Sequence, residues 1–269
     1  MYSRVERISR GASETKQNRK LTRGTIIQTL VNALEPLGFV YAFWEGGAAA
    51  FNRVDEWSDI DLYLVVDDKK VDETFLAVEK ALISLSPIEQ KYEVLHPPSL
   101  GLSQTFYRLQ GTSEYLLIDL AVLRSRSPDK FLEPEIHGNA IFYFNKSIKL
   151  KPPPLDKNAY VRKLQERLER LKARFTMFNS FVQKEINRGN HLEALDFYNA
   201  YTIAILVAAL RIRYNPFHHN FRMHYIHYEL PSEIITKLEH LCFVRDEKDL
   251  QEKYNEATYW LHEIMSEID

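Results

Sequence analysis

Three consecutive prolines, Pro152 to Pro154 in "LKPPPLD" (150–156), constrain the fold more than any other feature of the chain. Each fixes its own φ and removes a backbone donor, so the stretch fits neither a helix interior nor a central strand. It marks a boundary that divides the 269 residues into segments of ordinary domain size, 1–150 and 156–269. With 45% hydrophobic and 27% charged residues, both have the composition of folded protein.

The two segments have different periodicities. Before the prolines, helical and strand-like patterns alternate. "TIIQTLVNALEPLG" repeats its apolar residues at helical spacing, and "VDETFLAVEKALISL" does so with Leu76, Val78, Leu82 and Leu85 as its apolar side. Between and after them, "FVYAFWE", "IDLYLVV", "KYEVLH", "TFYRLQ", "YLLIDLAVL" and "AIFYF" read as strands. After the prolines the pattern is helical over about 158–188, 191–213, 231–243 and 246–268, with Gly189-Asn190 as a stop and Leu230-Pro231-Ser232 as a start. The expected fold is α+β: a mixed β-sheet with helices on one face, followed by an all-α helical bundle.

The strand "IDLYLVV" begins beside two carboxylates. Strand alternation puts Asp59, Asp61 and Tyr63 on one face and Ile60, Leu62, Leu64 and Val66 on the other. Two like charges roughly 7 Å apart repel and hold protons more tightly, unless a cation lies between them. Mg²⁺ prefers such oxygens, and two ions about 4 Å apart clamp both oxygens of a phosphoryl transfer. A solvated polar strand end is the plain alternative. A third carboxylate, Asp119, sits inside "YLLIDLAVL", where an ionised group is costly unless paired or metal-bound. An unseen arginine partner or a sheet-rim position would also accommodate it.

Gly46-Gly47 follows one strand and precedes "AAAF". Glycines in a strand-to-helix turn let backbone N–H groups approach an anion closely, although a simple turn needs them equally. The full pattern is more specific: Gly-Gly, eleven residues (48–58), Ser58, Asp59-Ile60-Asp61 and a β-branched run, then a lone Asp119 in an apolar strand.

That pattern resembles the nucleotidyltransferase superfamily with a DNA polymerase beta-like palm, over roughly residues 40–123. The two-part layout looks like the aminoglycoside and lincosamide nucleotidyltransferases, which have a helical C-terminal domain. The resemblance implies that Asp59, Asp61 and Asp119 hold two Mg²⁺ ions. It also implies that Gly46 and Gly47 admit the triphosphate of ATP or another nucleotide, and that an acceptor hydroxyl attacks the α-phosphate. Asp119 would receive the hydroxyl's proton. Many members have Ser where Gly47 stands; here either Ser58 supplies the hydroxyl or the triphosphate relies more on backbone N–H groups. Arg213 and Arg222 of the helical segment are candidates to reach the phosphates, with surface or structural roles as the alternative. The acceptor is expected to be a small molecule of antibiotic type, with a partner protein or a non-catalytic nucleotide sensor as the alternatives.

Net charge, −2, argues against a nucleic-acid partner. Residues 1–24 are the exception, a basic arm with seven Lys/Arg against Glu6 and Glu14, expected to be solvated. Cys242 is the lone cysteine, which excludes an intramolecular disulfide and suits the cytoplasm. "AYTIAILVAALRI" reads as a buried helix shorter than a membrane span, so no membrane partner is expected, while a homodimer stays open. The histidines at 218, 219, 224 and 227 lack the cysteine partners of a common zinc site. Lys163, Arg167, Arg170 and Arg174 line one helix face, expected to be solvated and ion-paired with Glu166 and Glu169. Phe175, Phe178 and Val182 are expected in the core.

Overall fold

The computed structural model describes residues 21–147 and 150–268; residues 1–20 of the basic arm lie outside them. Two compact units divide at Pro152/Pro153, within the proline run.

The first unit runs α1 (Arg23–Leu34), β1 (Val40–Glu45), a single turn α2 (Gly47–Ala50), β2 (Ile60–Val66), α3 (Val71–Leu85), β3 (Ile88–Val94), β4 (Leu102–Leu109), β5 (Ile118–Arg124), a second single turn α4 (Pro134–His137) and β6 (Ile141–Asn145). The strands form one mixed sheet in the order β3-β4-β5-β2-β1-β6. Only the central β2–β5 pair is parallel; its neighbours pair antiparallel. Because β2 and β5 run the same way, both begin at one end of the sheet, and β1 ends there.

Helices α1 and α3 cover one face. Ile26, Leu30 and Leu34 of α1 and Val78 and Leu82 of α3 are buried against Ile60, Leu62, Leu64, Leu120 and Val122. Full burial of each such side chain contributes about 1.5–3 kcal/mol. Leu76 corrects the expected apolar side of α3: it is 67% exposed, and Thr74 and Ala81 are buried in its stead. On the other face Ala42, Trp44, Val65, Leu123 and Leu132 make a smaller core. Edge strand β3 presents Glu89, Lys91 and Glu93 to solvent, which discourages pairing with another chain.

The second unit is helical: α5 (Lys157–Phe178), α6 (Ser180–Arg188), α7 (His191–Phe197), a π-helical turn (Tyr198–Ile203), α8 (Ala204–Tyr214), a single turn α9 (Ile226–Glu229), α10 (Ser232–Cys242) and α11 (Glu247–Ile268). Its core joins Phe175, Val182, Leu206, Leu210, Leu241 and Trp260. Phe178 is only partly buried. The continuous run His191–Tyr214 is longer than the apolar stretch read from the sequence. By length and composition it is long enough to cross a membrane, but 61% of its most apolar window is buried within the protein.

The histidine-rich segment is largely structural. Arg211, with no exposed surface, donates to the carboxylate of Glu229 at 2.7 Å and to the Arg222 carbonyl at 2.6 Å. His218 Nδ1 lies 2.8 Å from the other Glu229 oxygen.

Candidate active site

Topology brings the three aspartates to one end of the sheet. Asp61 and Asp119 are register partners across the parallel β2–β5 pair, so their side chains share a face on neighbouring strands about 4.8 Å apart. Asp59 lies one residue ahead of β2 on the same side. Burial pushes the Asp61 carboxyl up to about 7, with Asp59, Asp119 and Glu45 adding to the rise and Arg23 opposing it. Burial also pushes Asp119 up to about 6; Gln104 opposes this, Asp59 adds to it, and His96 opposes it.

The glycine turn fits against these carboxylates. The Gly46 N–H donates to the Asp61 carbonyl at 2.9 Å, which ties the turn to the start of β2. Gly47 has φ +51°, and a methyl group there would lie 1.6 Å from Asp61 Oδ2. A methyl group at Gly46 would lie 2.8 Å from the ring of Tyr63, which stacks on Trp44 at 5.4 Å. Both positions therefore lack side chains for a reason within the fold: they make room for Asp61 and Tyr63. A serine at position 47 would overlap Asp61 as it lies here.

Ser58 Oγ donates to Asp55 Oδ1 at 2.7 Å and accepts from the Asp55 N–H at 2.9 Å, so its hydroxyl is spent on its own loop. Arg213 and Arg222 belong to the helical unit. Arg213 pairs with Glu267, and Arg222 has φ +55° with its carbonyl bonded to Arg211.

Arg23, Glu45, Tyr143, Gln104 and His96 at the site were not foreseen in this role. Arg23, counted with the solvated arm, is instead the first residue of α1; its guanidinium binds the Asp59 carbonyl and the Glu45 carboxylate. Glu45, 3% exposed, also accepts from the Tyr143 hydroxyl. Gln104 on β4 donates to both Asp119 oxygens, at 2.8 and 2.9 Å, and its own carbonyl lies 2.8 Å from His96 Nε2. Burial pushes Tyr143 well above its ordinary range, with Glu45 adding to it. Arg23 and Glu45 carried one legible signal: a charge at the end of a strand and one at the start of a helix, of opposite sign.

Among the described residues, no group of three His, Cys, Asp or Glu side chains is already gathered to hold a metal ion. The donor set nevertheless suits a hard cation. It consists of carboxylate oxygens that burial, and the neighbouring Asp59 charge after it, hold at raised proton affinity in the absence of a cation. Beside Gln104 and His96, between α3 and the β3–β4 hairpin, lies a cleft of about 480 Å³ also lined by Phe75, Glu79 and Lys91.

No protein-family model matches the chain, and no curated protein matches it. Among solved structures it is similar to an aminoglycoside 6-adenyltransferase from Bacillus subtilis, with a TM-score of 0.33 and 12% identity over 92% of this chain and 90% of that one. So loose a likeness says nothing about activity, and the functional reading rests on the residues themselves.

Proposed function

We propose that the sheet unit is a metal-dependent nucleotidyltransferase, moving AMP from ATP, or another nucleoside monophosphate from its triphosphate, to a hydroxyl of a small-molecule acceptor. The observation that carries the reading is the pairing of Asp61 with Asp119 across neighbouring parallel strands, with Asp59 beside them. Asp59, Asp61 and Asp119 would hold Mg²⁺, which there neutralises phosphate charge and acidifies the acceptor hydroxyl.

Arg23 fixes the Asp59 backbone, and the Gly46-Gly47 turn holds the start of β2. Asp119, at the start of β5 beside Asp61, is the carboxylate that would accept the proton of the hydroxyl. As the acceptor oxygen bonds to the α-phosphorus, Asp119 takes its proton. The bridging P–O bond breaks, and its electron pair leaves with pyrophosphate. Gln104 positions Asp119 through its two hydrogen bonds. One observation favours a second reading, a nucleotide sensor without turnover: both Asp119 oxygens are already engaged by Gln104.

The test is calorimetric titration of the protein and of Asp59→Ala/Asp61→Ala with ATP, GTP, CTP and UTP, each with and without Mg²⁺, together with an assay for released pyrophosphate. Mg²⁺-dependent binding that the double variant loses by tenfold or more is expected, with pyrophosphate released once a hydroxyl acceptor is supplied. Binding without pyrophosphate across an acceptor screen would favour the sensor. No nucleotide binding by folded protein would end both readings.

A further inference from the structure

Lys163, Arg167, Arg170 and Arg174 follow one another on α5 at spacings of four, three and four, which puts them on one face. The ion pairing expected for this stripe does not form. Glu169 turns to Lys172 at 3.2 Å, and among the described residues no carboxylate pairs with any of the four cations. Arg174 lies over the ring of Tyr201 at 5.3 Å, which leaves three cations toward the N-terminal half of the helix.

Two polar groups beneath this stripe are buried without partners. His219 is 6% exposed, and its Nδ1 has no hydrogen-bond partner. The Nε of half-buried Arg167 is equally buried and unpartnered, although the same guanidinium donates to the His219 carbonyl at 3.3 Å. The Tyr160 hydroxyl, nearby on the same helix face, is spent on the Pro216 carbonyl at 2.9 Å. Buried polar nitrogens with no partner, next to cations that no carboxylate pairs with, are what an anion site looks like before its ligand arrives.

We propose that Lys163, Arg167, Arg170 and His219 form a binding site for the phosphate group of a small phosphate-bearing molecule. Phosphate fits because a guanidinium fork, an ammonium and a ring N–H match several oxygens of one tetrahedral, doubly charged group. A small molecule fits better than a nucleic-acid backbone because two of the donors are buried, out of reach of a chain lying along the surface. The site does not depend on the aspartates of the sheet unit.

His219 supplies the readout. Burial, with the charges of Arg167 and Lys163 adding to it, pushes it down to about 4. A bound phosphate opposes all three effects. The experiment titrates the full chain with inorganic phosphate in EDTA, following the His219 ring nitrogens by long-range ¹H–¹⁵N NMR. Saturable shifts and an upward move of the His219 pKa by one unit or more are expected. Lys163→Gln and Arg170→Gln, both at exposed positions, should each weaken binding at least fivefold without changing the melting temperature. Asp61→Asn should leave it intact, which separates failure here from failure of the nucleotidyltransferase reading. A His219 signal unmoved by phosphate overturns the proposal. So does binding of a single-stranded oligonucleotide that phosphate does not displace, or affinity unaltered in the two Gln variants.

Discussion

The Asp61 carboxyl is buried, and the charges of Asp59, Asp119 and Glu45 add to its proton affinity while Arg23 opposes them. That imbalance has a consequence for stability. A carboxyl near 3.9 in the unfolded chain and near 7 in the folded protein binds more protons when folded between those values. Stability contributed by this group is therefore present at low pH and lost as pH rises from about 4 to about 7. Asp61→Asn removes the titration. In EDTA, its unfolding free energy relative to the parent protein should rise with pH over that window, by up to roughly 1.4 kcal/mol per pH unit. Urea titrations at pH 4.5, 6 and 8 measure it, and a difference independent of pH would show that Asp61 ionises normally. The aspartates and glycines were legible because their spacing is local. Gln104 and Glu45 were not, because the partner of a strand residue depends on which strand lies beside it. Gly47 shows the limit from the other side: a glycine that suits a phosphate turn proves to be occupied by a carboxylate of its own chain.

At the scale of elements, strand and helix bounds follow the periodicity closely, and the departures have causes in the packing. The pattern over 158–188 reads as one helix, yet the structure breaks it at Asn179 into α5 and α6. The pattern over 191–213 conceals a π-helical turn. These irregularities meet. Thr202 in the π turn donates to Asn179 Oδ1 at 2.7 Å, while Asn179 Nδ2 donates to the Tyr254 hydroxyl at 3.1 Å and to Thr258 at 3.2 Å. Tyr254 in turn donates to the Asn179 carbonyl at 3.1 Å. One buried amide thus joins three helical segments, a role no helical periodicity reveals. Asn179→Leu, close in volume, leaves Thr202 and Tyr254 short of partners and should destabilise the protein by about 2–4 kcal/mol. Urea unfolding measures this, and a loss under about 1 kcal/mol would mean that the hydroxyls find other partners at little cost.

At the scale of the molecule, the proline run separated two regimes of pattern, and the structure divides within it. The sequence could not reveal the strand order β3-β4-β5-β2-β1-β6, since the pairings of β2 with β5 and of β1 with β6 join strands far apart in the chain. Yet that order is what sets Asp61 beside Asp119. Each unit carries its own core. The cluster around Leu206, Leu210, Leu241 and Trp260 draws only on residues after the prolines, and the two sheet clusters draw only on residues before them. A unit whose buried apolar residues are all its own has what it needs to fold alone. Residues 153–269 expressed by themselves should therefore be helical by circular dichroism and unfold in urea in one cooperative transition. Their Asn179 network should remain intact, so Asn179→Leu should cost the fragment about as much as the full chain, within roughly 0.5 kcal/mol. A fragment that unfolds gradually and binds hydrophobic dye would instead mean that its core is set only in the presence of the sheet unit. In that case the Asn179 substitution would report on the whole chain and not on the helical unit.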